Sequence, residues 1–118
     1  MVRAPIVHAT LITALWLGLG WATESRAESV VLPTINVVAK GGRLSPERIE
    51  VPAGQRIKII IRNEGPGPIE FESFNPRIEK VLAAGGTSFV VLPPLKPGTY
   101  TFIDEFHMET GAMQLIAK

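Results

Sequence analysis

Arg56-Ile-Lys-Ile-Ile-Ile-Arg62 runs directly into Asn63-Glu-Gly-Pro-Gly-Pro68, and these two segments decide the fold class. Isoleucine is branched at Cβ, stiff at χ1, and packs well on a pleated surface. The first segment is therefore predicted to be the strongest strand of the chain. The second holds two prolines, which give no N–H to a β-ladder, and two glycines that permit tight turns. It reads as a rigid loop that ends the strand.

The same alternation continues in both directions. Upstream, Thr34-Ile-Asn-Val-Val-Ala-Lys40 stops at Gly41-Gly42, and Arg48-Ile-Glu-Val51 alternates polar and apolar before Pro52-Ala53-Gly54. Downstream, Ile69 to Phe74 alternates again, and Thr87-Ser-Phe-Val-Val-Leu92 follows Gly85-Gly86. Lys96-Pro97-Gly98-Thr99 suits a tight turn, with proline presetting φ and glycine tolerating a positive one. Tyr100-Thr-Phe-Ile103 and Ala112-Met-Gln-Leu-Ile-Ala117 complete the series. One helical turn is expected around Pro76-Arg-Ile-Glu-Lys-Val81. About seven short strands with turn chemistry between them predict an all-β Greek-key sandwich.

The beginning of the 118-residue chain reads differently. Residues 9–22 are almost wholly apolar or small, Arg3 precedes them, and Ser25-Arg26-Ala27 places small residues at the two positions a signal peptidase reads. That is the layout of a secretory signal peptide over residues 1–27, cleaved after Ala27. The run is shorter than the roughly 20 apolar residues a membrane-spanning helix needs. Residues 28–118 then form the exported domain. Of 12 basic and 11 acidic residues, the leader holds Arg3, Arg26 and Glu24, so the remainder is neutral. A neutral domain argues against nucleic acid as a partner and against retention on an anionic membrane. The chain has no cysteine, so burial without disulfides must stabilise it.

The chemistry concentrates in Tyr100-Thr-Phe-Ile-Asp-Glu-Phe-His-Met-Glu-Thr-Gly-Ala-Met113. A strand is expected to enter a loop carrying Asp104, Glu105, His107, Met108 and Glu109, and a last strand follows. His107 is the one histidine beyond the leader, and a neutral imidazole is a common metal ligand. Glu70 and Glu72 share a strand face, with Phe71 on the other and directed to the core. Phe102, Phe106 and Met113 are expected to be core residues. Catalytic triads, phosphate loops and paired cysteines are not found.

An aromatic strand leading to a loop with His and Met before a Gly resembles the ligand loop of cupredoxins. The resemblance puts Asp104 in the position of the cysteine ligand and His107 in that of a histidine ligand. Neither Met108 nor Met113 fits the methionine position cleanly. The other histidine position falls near Ile69 or Glu70, where no histidine stands. Without a thiolate the chain cannot be an ordinary blue-copper electron carrier, and hard oxygen donors favour Fe²⁺, Fe³⁺ or Cu²⁺ over Cu⁺.

Glu70-Phe-Glu-Ser73, Glu79-Lys80-Val81, Pro94-Leu-Lys-Pro-Gly-Thr-Tyr100 and Asp104-Glu-Phe-His107 together resemble the cupredoxin-like periplasmic component of bacterial ferrous-iron uptake systems. That resemblance implies metal ligation by Asp104, His107, Glu70, Glu72 and Glu79, with copper and/or iron as the bound metal. It implies a periplasmic location, with an iron permease or a second periplasmic metal-binding protein as partner. It also implies a role in Fe²⁺ oxidation before transport, although a non-enzymatic metal-binding accessory would carry the same ligands. The alternative is a metal-free β-sandwich serving as a structural or protein-interaction module, with its acidic groups scattered.

Overall fold

The computed structural model describes residues 2–5, 18, 20–21 and 31–118. The expected signal-peptide cleavage site, Ser25-Arg26-Ala27, lies outside the described residues. Among those described, nine strands form two sheets. They are β1 (Thr34–Lys40), β2 (Arg43–Ser45), β3 (Arg48–Val51), β4 (Ile57–Asn63), β5 (Ile69–Phe74), β6 (Arg77–Leu82), β7 (Thr87–Leu92), β8 (Gly98–Asp104) and β9 (Ala112–Ala117). One sheet has the order β2-β1-β4-β7 and the other β3-β9-β8-β5-β6. Two pairings are parallel, β1 with β4 and β3 with β9, and the rest are antiparallel.

The two-residue period of the sequence becomes the two faces of each sheet. On β4, Ile57, Ile59 and Ile61 point inward and are fully buried, whereas Lys58 and Ile60 lie on the outer face. On β5, Ile69, Phe71 and Ser73 point inward, and Glu70, Glu72 and Phe74 belong to the outer series. The core joins these residues to Val37, Leu44, Leu92, Phe102, Met113 and Leu115, with the Phe71 and Phe102 rings stacked 5.1 Å apart. The prolines from Pro33 onward all lie outside the strands, as their missing N–H requires.

Three expectations need correction. The segment around Pro76–Val81 is not helical: β6 pairs antiparallel with β5 through the turn at Asn75-Pro76. Ile78 and Leu82 alternate with Glu79 and Val81, and pairing with β5 overrides any local helical tendency. Asp104 ends β8 instead of lying in the loop, and a 3₁₀ turn over Glu105–His107 follows it. Phe106 is half exposed, because that turn carries its ring away from the core.

Asn63 organises the loop leading into the site. Its buried side-chain amide donates to Gly67 O and Leu82 O, and its Oδ1 accepts from Gly65 N. Three bonds from one side chain fix the Gly-Pro loop against the end of β6 and so set where β5 begins.

Candidate metal centre

On the outer face of the five-stranded sheet, Glu70 and Glu72 follow one another on β5 at the two-residue spacing that places both on one side. The register sets Glu79 of β6 directly opposite Glu72 and Val81 opposite Glu70. On the other flank Ile103 of β8 lies opposite Glu72. The 3₁₀ turn after β8 then brings Glu105 to the same place. One ligand oxygen from each of Glu70, Glu72 and Glu105 lies within 4.8 Å of the others.

These carboxylates differ in surroundings. Glu72 is only 8% exposed although it belongs to the outer series, Glu70 is half-buried, and Glu105 is exposed. Oxygen Oε2 of Glu72 has no hydrogen-bond partner. Burying a carboxylate oxygen without a partner is costly, and like charges beside it add to that cost. Hydrogen bonding to the Glu105 carboxyl, then burial, then the charges of Glu105, Glu70 and Glu79 push the Glu72 carboxyl up to about 7. Glu70 is raised as well, first by burial and then by the Glu105 charge. Protonation of Glu72 relieves that repulsion. A bound cation would meet the same electrostatic demand.

Asp104 has different surroundings. It belongs to the inward series of β8 with Phe102, is 1% exposed, and has both oxygens engaged. Oδ1 accepts from the backbone N–H of Glu70 and of Phe106, each at 3.1 Å. Oδ2 lies 2.6 Å from Nδ1 of His107. That contact leaves Nε2 as the free ring nitrogen of His107, the arrangement in which a carboxylate orients a metal-binding imidazole. The base of the loop is closed by Asp104 N donating to Gly111 O at 2.7 Å. Thr110 Oγ1 bonds Gly42 O at 2.6 Å, which ties the loop to the β1–β2 turn. Gly111 admits no side chain: a Cβ there would sit 2.8 Å from Asp104 Cβ and 2.9 Å from His107 O.

The five residues singled out in the sequence thus fall into two groups that meet at Glu70. Glu70 and Glu72 converge with Glu105, and Glu79 faces Glu72 from the neighbouring strand. Asp104 and His107 form their own pair, joined to the first group through the Glu70 backbone. Glu105 is the residue that sequence reasoning did not single out as a ligand. Its signal was weak, because only the 3₁₀ turn carries it back over β5.

The "Cupredoxin-like domain" family matches residues 9–117. The chain belongs to that family. A curated relative, "Uncharacterized protein RP394" of Rickettsia prowazekii, is 33% identical over 77 residues, which are 65% of this chain. The chain spans 62% of that relative's length. Auracyanin A, a "blue" copper protein from Chloroflexus aurantiacus, aligns over 75% of this chain and all of its own at TM-score 0.63 and 15% identity. The metal-binding domain of the Streptococcus pneumoniae D39 Cu(I)-exporting P-type ATPase CopA, solved with Cu(I), aligns over 72% of this chain and 84% of its own. Its TM-score is 0.64 and its identity 16%. At such identities the likeness is one of fold, and the all-β sandwich is cupredoxin-like.

The donors at the site do not reproduce a blue-copper set. The chain has no thiol, and Asp104, where the cupredoxin resemblance places the cysteine ligand, has both oxygens in hydrogen bonds. The converging oxygens of Glu70, Glu72 and Glu105, with the unpaired oxygen of Glu72 among them, fit a harder cation.

Proposed function

We propose that this cupredoxin-like protein binds copper or iron through Glu70, Glu72 and Glu105, with Glu79 and His107 at the margin of the site. We place that binding in periplasmic ferrous-iron uptake. The observation that carries the metal reading is the buried, unpaired Oε2 of Glu72, with two further carboxylates converging beside it. An acidic group on a surface is ordinary. A carboxylate that is nine-tenths buried beside two others is held there at an electrostatic cost, which a divalent cation offsets.

A bound copper ion would supply one-electron redox capacity at this place. The residues of the chain supply an oxygen-rich set that stabilises the more highly charged ion most and lowers a bound iron's reduction potential. Oxidation of bound Fe²⁺ before transport, with dioxygen as the electron acceptor, is consistent with that donor set. The iron-uptake role rests on the four sequence blocks described above, and the export step on the leader-like residues 1–27. Exposed Phe106 and Met108 flank His107, and exposed Val81 faces Glu70 across the strand pair. Apolar side chains around a charged site suit transient docking of a permease or a second periplasmic metal-binding protein.

The test is calorimetric titration with Cu²⁺ and, anaerobically, with Fe²⁺, on the wild type, Glu72→Gln and Glu105→Gln. Saturable one-site binding that both variants weaken at least about tenfold supports the reading. A wild type that binds neither metal above non-specific levels removes it, and the metal-free interaction module takes its place.

A further inference from the structure

Asp104 is almost fully enclosed, yet it touches both elements that bring the carboxylates together. Its Oδ1 receives the N–H of Glu70, which lies 34 residues away on β5. The same oxygen receives the N–H of Phe106 and caps the 3₁₀ turn that carries Glu105. The β5–β8 ladder is short, pairing only Phe71 with Asp104 and Glu72 with Ile103. One oxygen atom therefore extends that ladder by a further bond and fixes the turn on it. With the turn held to β5 at Glu70, the backbone of Glu105 is fixed beside that strand, and its carboxylate lies within 4.8 Å of those of Glu70 and Glu72. The other oxygen, Oδ2, fixes the His107 ring at Nδ1.

We propose that Asp104 is the positioning residue of this site and not one of its metal ligands. The inference rests on the metal-binding reading for its consequence but not for its geometry. Both carboxylate oxygens already serve protein groups. A cation drawing on Oδ1 would have to compete with two backbone N–H groups that have no other described acceptor. Gly111 packs against the Asp104 Cβ with no space for a side chain, so the carboxyl is also held from behind. A ligand role needs the charge of Asp104 at the metal. A positioning role toward the carboxylates needs only an oxygen acceptor at Oδ1, which asparagine supplies without the charge. Its amide nitrogen in place of Oδ2 would reverse the bond to His107 Nδ1, so that contact is removed from the comparison.

The experiment compares Asp104→Asn and Asp104→Ala with the chain unchanged at 104, each also in a His107→Ala background that removes the Oδ2 contact, using Cu²⁺ as the probe. Affinity comes from chelator competition, and the metal environment from electron paramagnetic resonance. Amide hydrogen exchange is followed at Glu70 and Phe106. Asp104→Asn is expected to keep Cu²⁺ affinity within about threefold, with both amides protected. Asp104→Ala is expected to lose about tenfold to a hundredfold, the range for residues that orient ligands, with both amides exchanging fast. An Asp104→Asn protein whose amides stay protected, but whose affinity falls as far as that of Asp104→Ala or whose oxygen-ligand signature changes, overturns the proposal and makes Asp104 a ligand. If the wild type binds no Cu²⁺, the metal reading fails on its own. The exchange data then decide positioning: protection kept in Asn and lost in Ala supports it, and equal protection in both refutes it.

Discussion

A proton and a metal ion compete for the same oxygen atoms, so the affinity of this site must depend on pH in a way its geometry sets. The Glu72 carboxyl is pushed up to about 7, chiefly by its hydrogen bond to Glu105 and by burial. Below that value a cation must displace a proton, and above it the oxygens are already free. Apparent Cu²⁺ affinity should therefore rise about tenfold per pH unit up to about pH 7 and then level off. At pH 5 it should be roughly a hundredfold below the plateau. An ordinary exposed glutamate, with a carboxyl near 4.5, would leave affinity almost flat over that interval. Glu72→Gln removes the carboxyl pushed up to about 7, so its weaker binding should vary distinctly less between pH 5 and 7 than that of the wild type, with the raised Glu70 carboxyl leaving a residual slope. The assay is competition with a chelator of known proton affinity, and calorimetry in buffers of different ionisation enthalpy counts the protons released. A wild type whose affinity is flat from pH 5 to 7 with no proton released would refute the coupling between Glu72 and Glu105.

Further tests address stability and processing. The folded-state Glu72 carboxyl lies above its ordinary value of 4.5, so between about pH 4.5 and 7 the metal-free folded protein binds more protons than the unfolded chain. Its stability should fall as pH rises through that window and stay at the lower level above it, and thermal melts of Glu72→Gln should lack the fall. Phe71→Ala removes a fully buried ring stacked on Phe102 and should cost about 3–5 kcal/mol in chemical denaturation. Asn63→Ala leaves Gly65 N, Gly67 O and Leu82 O without their partner, a loss of about 3 kcal/mol measurable in the same way. Mass spectrometry of the protein recovered from the periplasm of an expressing bacterium should show Glu28 as the first residue. An intact leader would point to an anchored form.

Local residue chemistry was sufficient for the parts of this protein that depend on a two-residue period and on chain-breaking residues. The alternation Ile57, Ile59, Ile61 against Lys58 and Ile60 already states which side of β4 is core. Glu70 and Glu72 share the outer series of β5 for the same reason, whatever the strand pairs with. Gly-Pro-Gly-Pro after Asn63 ends a strand because no ladder can run through it. Weak local signals were the ones that tertiary contacts settled. Arg77–Leu82 has no strong preference by itself and becomes a strand only by pairing with β5. Which flanking residues join Glu70 and Glu72 was likewise hidden. Glu105 reaches them because a 3₁₀ turn is capped by Asp104, and Asp104 is held in turn by a backbone N–H 34 positions away. The period of a strand tells a side chain which face it occupies. Only the folded chain decides whether a carboxylate on that face meets water, a backbone N–H or another carboxylate.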